Sequence, residues 1–192
     1  MSTVASRPAF EPALIVVMGV SGCGKTKVGV EIAARLGLAF VEGDTLHPRS
    51  NVEKMSAGIP LADGDRWPWL DLVGATLHQA REEGRGLVVS CSALKKSYRD
   101  RLRDAAGGSL FFVFLDGSRS LLQARLAERR GHFFPPALLD SQFAALEHPG
   151  IERLVITVDI DAPVDRIADA ALQGLGAFKT VPATLKEKGT SR

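Results

Sequence analysis

Two cysteines in 192 residues, Cys23 and Cys91, are too few for a disulfide framework, and neither sits in a metal-ligand spacing. Both read as free thiols in a reducing compartment, so the expected location is the cytoplasm. Long apolar runs are also missing. The one candidate for a targeting segment, Ala13 to Val20, is too short to cross a membrane. It runs straight into Ser21-Gly22-Cys23-Gly24-Lys25 with no small-residue cleavage site, so no secretory leader is expected there. Charge of one sign is lacking too: 24 Lys and Arg stand against 22 Asp and Glu, a net charge of +2. Nothing in that balance asks for a nucleic-acid or membrane partner. No internal repeat and no low-complexity segment interrupts the chain. What is present, 45% hydrophobic and 24% charged residues, suits one globular domain over residues 1–192 with a core of its own.

Apolar runs and turn residues alternate along that domain. Leu14-Ile15-Val16-Val17-Met18 is continuously apolar and rich in β-branched residues, the pattern of a central parallel strand covered on both faces. Val28, Ile32 and Leu36 recur every four residues and predict a helix that Gly37 ends. Further strands are expected at Leu38 to Val41, Leu87 to Cys91, Leu110 to Leu115 and Leu154 to Val158. Helices are expected around Tyr98 to Arg103, Leu121 to Leu126, Leu138 to Leu146 and Val164 to Leu175. Strands alternating with helices predict an α/β fold, a central five-stranded parallel sheet in three α/β/α layers. Residues 45–84 form a polar, mostly helical insertion with breaks expected at Pro48, Pro60 and Pro68, a candidate substrate-binding segment. Residues 129–140 read as a lid, and residues 180–192 as a frayed tail.

The strongest chemical signal is Gly19-Val20-Ser21-Gly22-Cys23-Gly24-Lys25-Thr26, which follows the first strand and opens the first helix. Two glycines four apart, then Lys and Thr, let successive backbone N–H groups turn inward on phosphate oxygens. The helix N-terminus adds unpaired N–H groups and the favourable end of its macrodipole. Lys25 is expected to reach the β- and γ-phosphates of ATP, and the Thr26 hydroxyl to bind Mg²⁺. Cys23, at a helix N-terminus, is a candidate for a lowered thiol pKa and for oxidative inactivation. No guanine-recognition motif of Asn-Lys-x-Asp type occurs. Strand three ends Val89-Ser90-Cys91-Ser92 without the carboxylate that usually assists the metal there. That leaves Asp44 to assist, or Thr26, phosphates and water alone.

Beyond the loop, several blocks in order resemble the gluconate kinase (gluconokinase) family. They are Gly43-Asp44-Thr45-Leu46-His47-Pro48, Asn51, Lys54-Met55, Gly58, Pro60-Leu61, Asp63, Asp65-Arg66 and Pro68-Trp69-Leu70. Cys91-Ser92-Ala93-Leu94-Lys95, Tyr98-Arg99-Asp100 and Leu102-Arg103 follow. Gly131-His132-Phe133, Leu138-Leu139, Ser141-Gln142-Phe143 and Leu146-Glu147 complete the set, so the resemblance spans about residues 14–176. It implies a fold similar to nucleoside monophosphate kinases and shikimate kinase, a homodimer, and phosphorylation of D-gluconate at its 6-hydroxyl by ATP and Mg²⁺. The glycine-rich stretch of shikimate kinase after strand three, and the Asp-Gly-Phe-Pro-Arg type segment of adenylate kinase, are both absent. A non-catalytic nucleotide-binding regulator is the reading from another class; retention of Lys25 and Asp44 speaks against it.

Gluconate is a carboxylate with a row of hydroxyls, so its site needs cations at one end and mixed donors and acceptors along the chain. Asp44, just past strand two, is expected to orient the 6-hydroxyl and accept its proton, or to hold a Mg²⁺-bound water; a plain helix-capping role is the alternative. His47, Lys54, Arg66, Lys95, Arg99, His132 and Gln142 are the candidate substrate contacts, with Lys95 and Arg99 on one face if both are helical. Arg129, on the helix with Arg125 that leads into the lid, is the candidate for neutralising charge on the transferring phosphate. Trp67 and Trp69 are expected to pack rather than stack on an open-chain sugar.

Overall fold

The computed structural model describes residues 13–128 and 136–179. Five strands pair in parallel throughout: β1 (Leu14–Met18), β2 (Ala39–Glu42), β3 (Leu87–Ser90), β4 (Leu110–Asp116) and β5 (Val155–Asp159), in the spatial order β2-β3-β1-β4-β5. The helices are α1 (Lys25–Leu36), α2 (Arg49–Ser56), α3 (Asp63–Glu82), α4 (Lys96–Ala106), α5 (Arg119–Ala127), α6 (Pro136–Ala145) and α7 (Val164–Lys179). A sheet with helices on both faces is therefore what the alternating pattern builds. The arm 1–12, most of the expected lid (129–135) and the tail 180–192 lie outside the described residues.

Strand β1 lies at the centre of this architecture, and all five of its side chains are buried. Its pleat divides the core in two. Ile15 and Val17 join Val28 and Ile32 of α1 and Ile167 and Ala171 of α7 on one face. Leu14, Val16 and Met18 join Trp69, Val73 and Leu77 of α3 and Leu102 of α4 on the other. Each Val, Leu, Ile or Met side chain among these contributes about 1.5–3 kcal/mol on burial, so strand, loop and first helix form one well-supported unit.

Pro68 does not break the insertion as expected; α3 runs through it for 20 residues. An internal proline costs a helix about 3 kcal/mol. The neighbouring Trp69 and Leu70 are buried in the core, and their burial offsets that cost. The helix start is secured by Asp65, whose carboxylate accepts the Ala62 N–H at 2.9 Å. Pro48 and Pro60 do fall outside the helices, the first directly before α2 and the second between α2 and α3.

After β2 the chain enters a 3-10 turn, Gly43–Leu46, which aims Asp44 past the carboxyl edge of the sheet. Gly43 donates to Ser90 Oγ at 3.1 Å and accepts from Trp69 Nε1 at 2.8 Å. A Cβ at this position would lie 2.0 Å from the Ser90 carbonyl oxygen. Only glycine allows the turn to sit so close to β3. Gly43→Ala should lower the unfolding free energy by about 3 kcal/mol or more, read from urea denaturation; an unchanged midpoint would mean that the turn is not held here.

Candidate active site

The phosphate loop closes on itself through short-range contacts. Gly24, at φ 95°, caps α1 in a left-handed conformation that leaves the helix N–H groups pointing outward. Lys25 Nζ donates to the carbonyls of Gly19 and Val20, at 3.1 and 3.2 Å, which folds the ammonium over the loop. The Gly19 N–H bonds to Ser92, just past β3. From α6, Gln142 accepts the Ser21 N–H at 2.6 Å and donates to the Ser21 hydroxyl at 3.0 Å.

Two cavities meet at this loop. One, of about 530 Å³, is lined by the loop from Ser21 to Val28, by Glu42 and Asp44, and by Arg125, Ala162, Val164 and Ile167. Its lining of loop residues, with the cationic side chains of Lys25, Lys27 and Arg125, suits polyphosphate, and its apolar residues suit a base. The other, of about 440 Å³, is lined by His47, Arg66 and Trp69 from the insertion and its entry, by Met55, Ile59 and Leu61, and by Ser141 and Gln142 of α6. Ser21, Lys25 and Asp44 line both. A phosphoryl group carried by the loop would thus face the second cavity across Lys25 and Asp44.

The sequence of a related protein settles the family. Curated gluconokinases align with almost all of the described chain: that of Gluconobacter oxydans is 48% identical over 166 residues, covering 85% of this chain and 92% of its own. The thermoresistant gluconokinase of Escherichia coli is 42% identical over 161 residues, covering 83% and 91%. The chain belongs to the gluconokinase family. The crystal structure of a gluconokinase from Sinorhizobium meliloti superposes with a TM-score of 0.80 at 50% identity, covering 88% of this chain and 94% of that one. The AAA domain profile matches residues 14–149. Gluconokinases are ATP-dependent phosphotransferases with an alcohol acceptor, and ATP binding by this chain follows from that membership.

Within this gluconokinase frame, Lys25, Asp44, His47, Arg66 and Gln142 come together around the second cavity. Lys54 and Lys95 do not line it. Lys54 pairs with Asp65 at 2.6 Å. Lys95 donates to both Asp63 oxygens at 2.8 Å, and Tyr98 donates to the same carboxylate. The Lys95 and Tyr98 bonds hold the Asp63 carboxyl below its usual pKa. Lys95 is also the extended residue capping α4, so it shares no helical face with Arg99.

Arg99 requires a correction. It is 0% exposed, and its five N–H groups meet five protein acceptors. Nη1 serves the carbonyls of Ala93 and Leu94, Nη2 the Glu147 carbonyl and the Glu152 carboxylate, and Nε the other Glu152 oxygen. No donor remains for a substrate. Helical spacing suggested a binding cation, and only the fold shows that acceptors from three segments surround it. Arg129 and His132 lie outside the described residues.

Glu42 is the functional candidate that the sequence reading missed. It ends β2, and its Oε2 accepts from the Thr26 hydroxyl at 2.5 Å. Its Oε1 accepts from the Ser90 hydroxyl. A carboxylate at the end of the neighbouring strand, which pairs Glu42 with Ser90, thus lies beside Thr26 where strand three offers none. A carboxylate at the carboxyl end of β2 was the available signal. Cys23 also departs from expectation. Its thiol is fully buried, and burial raises its pKa against the pull of Lys25. Cys91 is likewise buried and pushed up to about 12. A helix N-terminus does not activate a thiol that solvent never reaches.

Two measurements follow. Arg99→Met strands Glu152 with Arg103 alone and should cost about 3 kcal/mol of stability in chemical denaturation, with acceptor KM unchanged in the folded fraction. A raised KM at unaltered stability would return Arg99 to the substrate. A thiol reagent at neutral pH should leave both cysteines unlabelled by mass spectrometry until denaturant is added; rapid native labelling of Cys23 would contradict its burial.

Proposed function

We propose that this chain transfers the γ-phosphoryl group of ATP to the 6-hydroxyl of D-gluconate, giving 6-phospho-D-gluconate. The observation that carries the reading is the shared wall: Ser21, Lys25 and Asp44 border the phosphate cleft on one side and the polar acceptor cavity on the other. Phosphoryl transfer depends on positioning and charge neutralisation rather than on covalent chemistry by the protein. In this reading the loop N–H groups and Lys25 hold the phosphates. Asp44 orients the acceptor hydroxyl and takes its proton. Arg66 suits the carboxylate of the sugar acid, and His47 and Gln142 suit its hydroxyls. Lys54 and Lys95 help by holding the start of α3 in place. Arg129 and His132, outside the described residues, would contribute charge neutralisation and substrate contact from the expected lid.

The hard oxygen donors at the loop fit Mg²⁺, because the Thr26 hydroxyl and the Glu42 carboxylate already lie within hydrogen-bond reach of each other. Thr26 would hold the ion directly and Glu42 through its water shell. When bound, the ion supplies charge neutralisation on the phosphate oxygens. The reading includes a homodimer, on the strength of the family resemblance, and involves no nucleic acid. The reading also places the protein in the cytoplasm. Among the described residues no helix is long and apolar enough to cross a membrane.

A coupled assay should show ADP release that requires D-gluconate. ATP binding without gluconate-dependent turnover would overturn the proposal. Asp44→Ala should lower kcat by about 10²–10⁴, the range for a removed general base, with little change in KM for ATP. An equal loss in ATP affinity would make Asp44 a structural residue.

A further inference from the structure

Asn51 is buried at the start of α2, 2% exposed. Its amide nitrogen lies 2.7 Å from the Asp65 carbonyl and 3.2 Å from His47 Nδ1. A backbone carbonyl only accepts, so the NH₂ edge of the amide must face Asp65, and the orientation of the amide is fixed. The second N–H of the same group then points at His47 Nδ1, which must offer a lone pair. Neutral imidazole has a single proton, and with Nδ1 accepting, that proton sits on Nε2.

The ring itself has little freedom. It stacks on Trp69 with centroids 4.1 Å apart and planes 17° from parallel. Trp69 is tied through Nε1 to the Gly43 carbonyl, and Asp65 is tied to Lys54 and to the Ala62 N–H. Turning the ring over would break the Asn51 bond. His47 lines the acceptor cavity, and among the described residues no group bonds to Nε2. Burial lowers the imidazole pKa, Arg66 adds to that, and Asp44 opposes it, which agrees with a neutral ring.

We infer that Asn51 fixes His47 as the neutral Nε2–H tautomer, which donates a hydrogen bond to a hydroxyl oxygen of the sugar-acid acceptor. His47 is then a binding and specificity group, and Asn51 a positioning residue that never touches substrate. A hydroxyl can accept from His47 while donating to a carboxylate such as Asp44, so the site would select polyols over acceptors that present methylene groups there. This inference rests on the acceptor reading given above.

The test has two arms. Nitrogen-15 NMR of the histidine rings at neutral pH should show His47 with Nε2 protonated and Nδ1 bare; in Asn51→Leu that single tautomer should give way to a mixture. In the steady state, His47→Phe keeps a ring over Trp69 but removes the donor. It should raise KM for D-gluconate about tenfold, the value of one hydrogen bond, with a smaller change in kcat and none in KM for ATP. His47→Gln, which restores an N–H at a similar reach, should recover most of the loss. A protonated Nδ1 in the wild type, or an unchanged gluconate KM in His47→Phe, overturns the inference. Wild-type protein without gluconate-dependent turnover would instead overturn the acceptor reading, while the tautomer measurement would still decide the Asn51 arrangement.

Discussion

The approach of Gly43 to the Ser90 carbonyl sets the spacing on which the rest of the site is built. Because the backbone has no Cβ there, β2 can end within hydrogen-bond distance of the Ser90 hydroxyl, and the next turn can lie under Trp69. That contact puts Glu42 on one side of the glycine, beside Thr26, and Asp44 on the other, at the wall shared by the two cavities. Two carboxylates flanking one glycine are thus placed differently by one tight crossing. The Trp69 ring that anchors the crossing also supports His47, so the acceptor cavity inherits its shape from the same contact.

The cations around the site divide into those engaged by carboxylates and those that face the cavities. Lys54 and Lys95 bind Asp65 and Asp63 across partly exposed surface, where such pairs contribute little stability but fix the start of α3. Arg99 is the extreme case, fully enclosed and fully satisfied, and it joins the segment after β3 to the segment after α6. Lys25 and Arg66 form no ion pair among the described residues and border the acceptor cavity.

The five strands were legible because each is a short apolar run between turn residues, and the phosphate loop because its glycines and lysine have a fixed spacing. The order β2-β3-β1-β4-β5 was not legible, since runs of Val, Leu and Phe do not say which neighbour they pair with. Other misreadings share that origin. Pro68 looked like a break because the burial of Trp69 and Leu70 beside it is a tertiary fact. Arg99 looked like a binding group because its acceptors come from distant segments, Glu152 lying 53 residues away. Cys23 looked activated by position, while its burial decides its chemistry. Glu42 was not legible because only the pairing of β2 with β3 shows that the end of β2 lies beside Thr26 and Ser90. His132 and Arg129 fall on residues not described.

Gln142 holds the Ser21 backbone N–H and hydroxyl from the acceptor side of the shared wall. A link of this kind can carry a coupling free energy, and couplings are reciprocal: any factor by which the nucleotide altered affinity for the acceptor would equal the factor by which the acceptor altered affinity for the nucleotide. One amide spanning 121 residues of sequence joins the phosphate loop to a helix that lines the acceptor cavity.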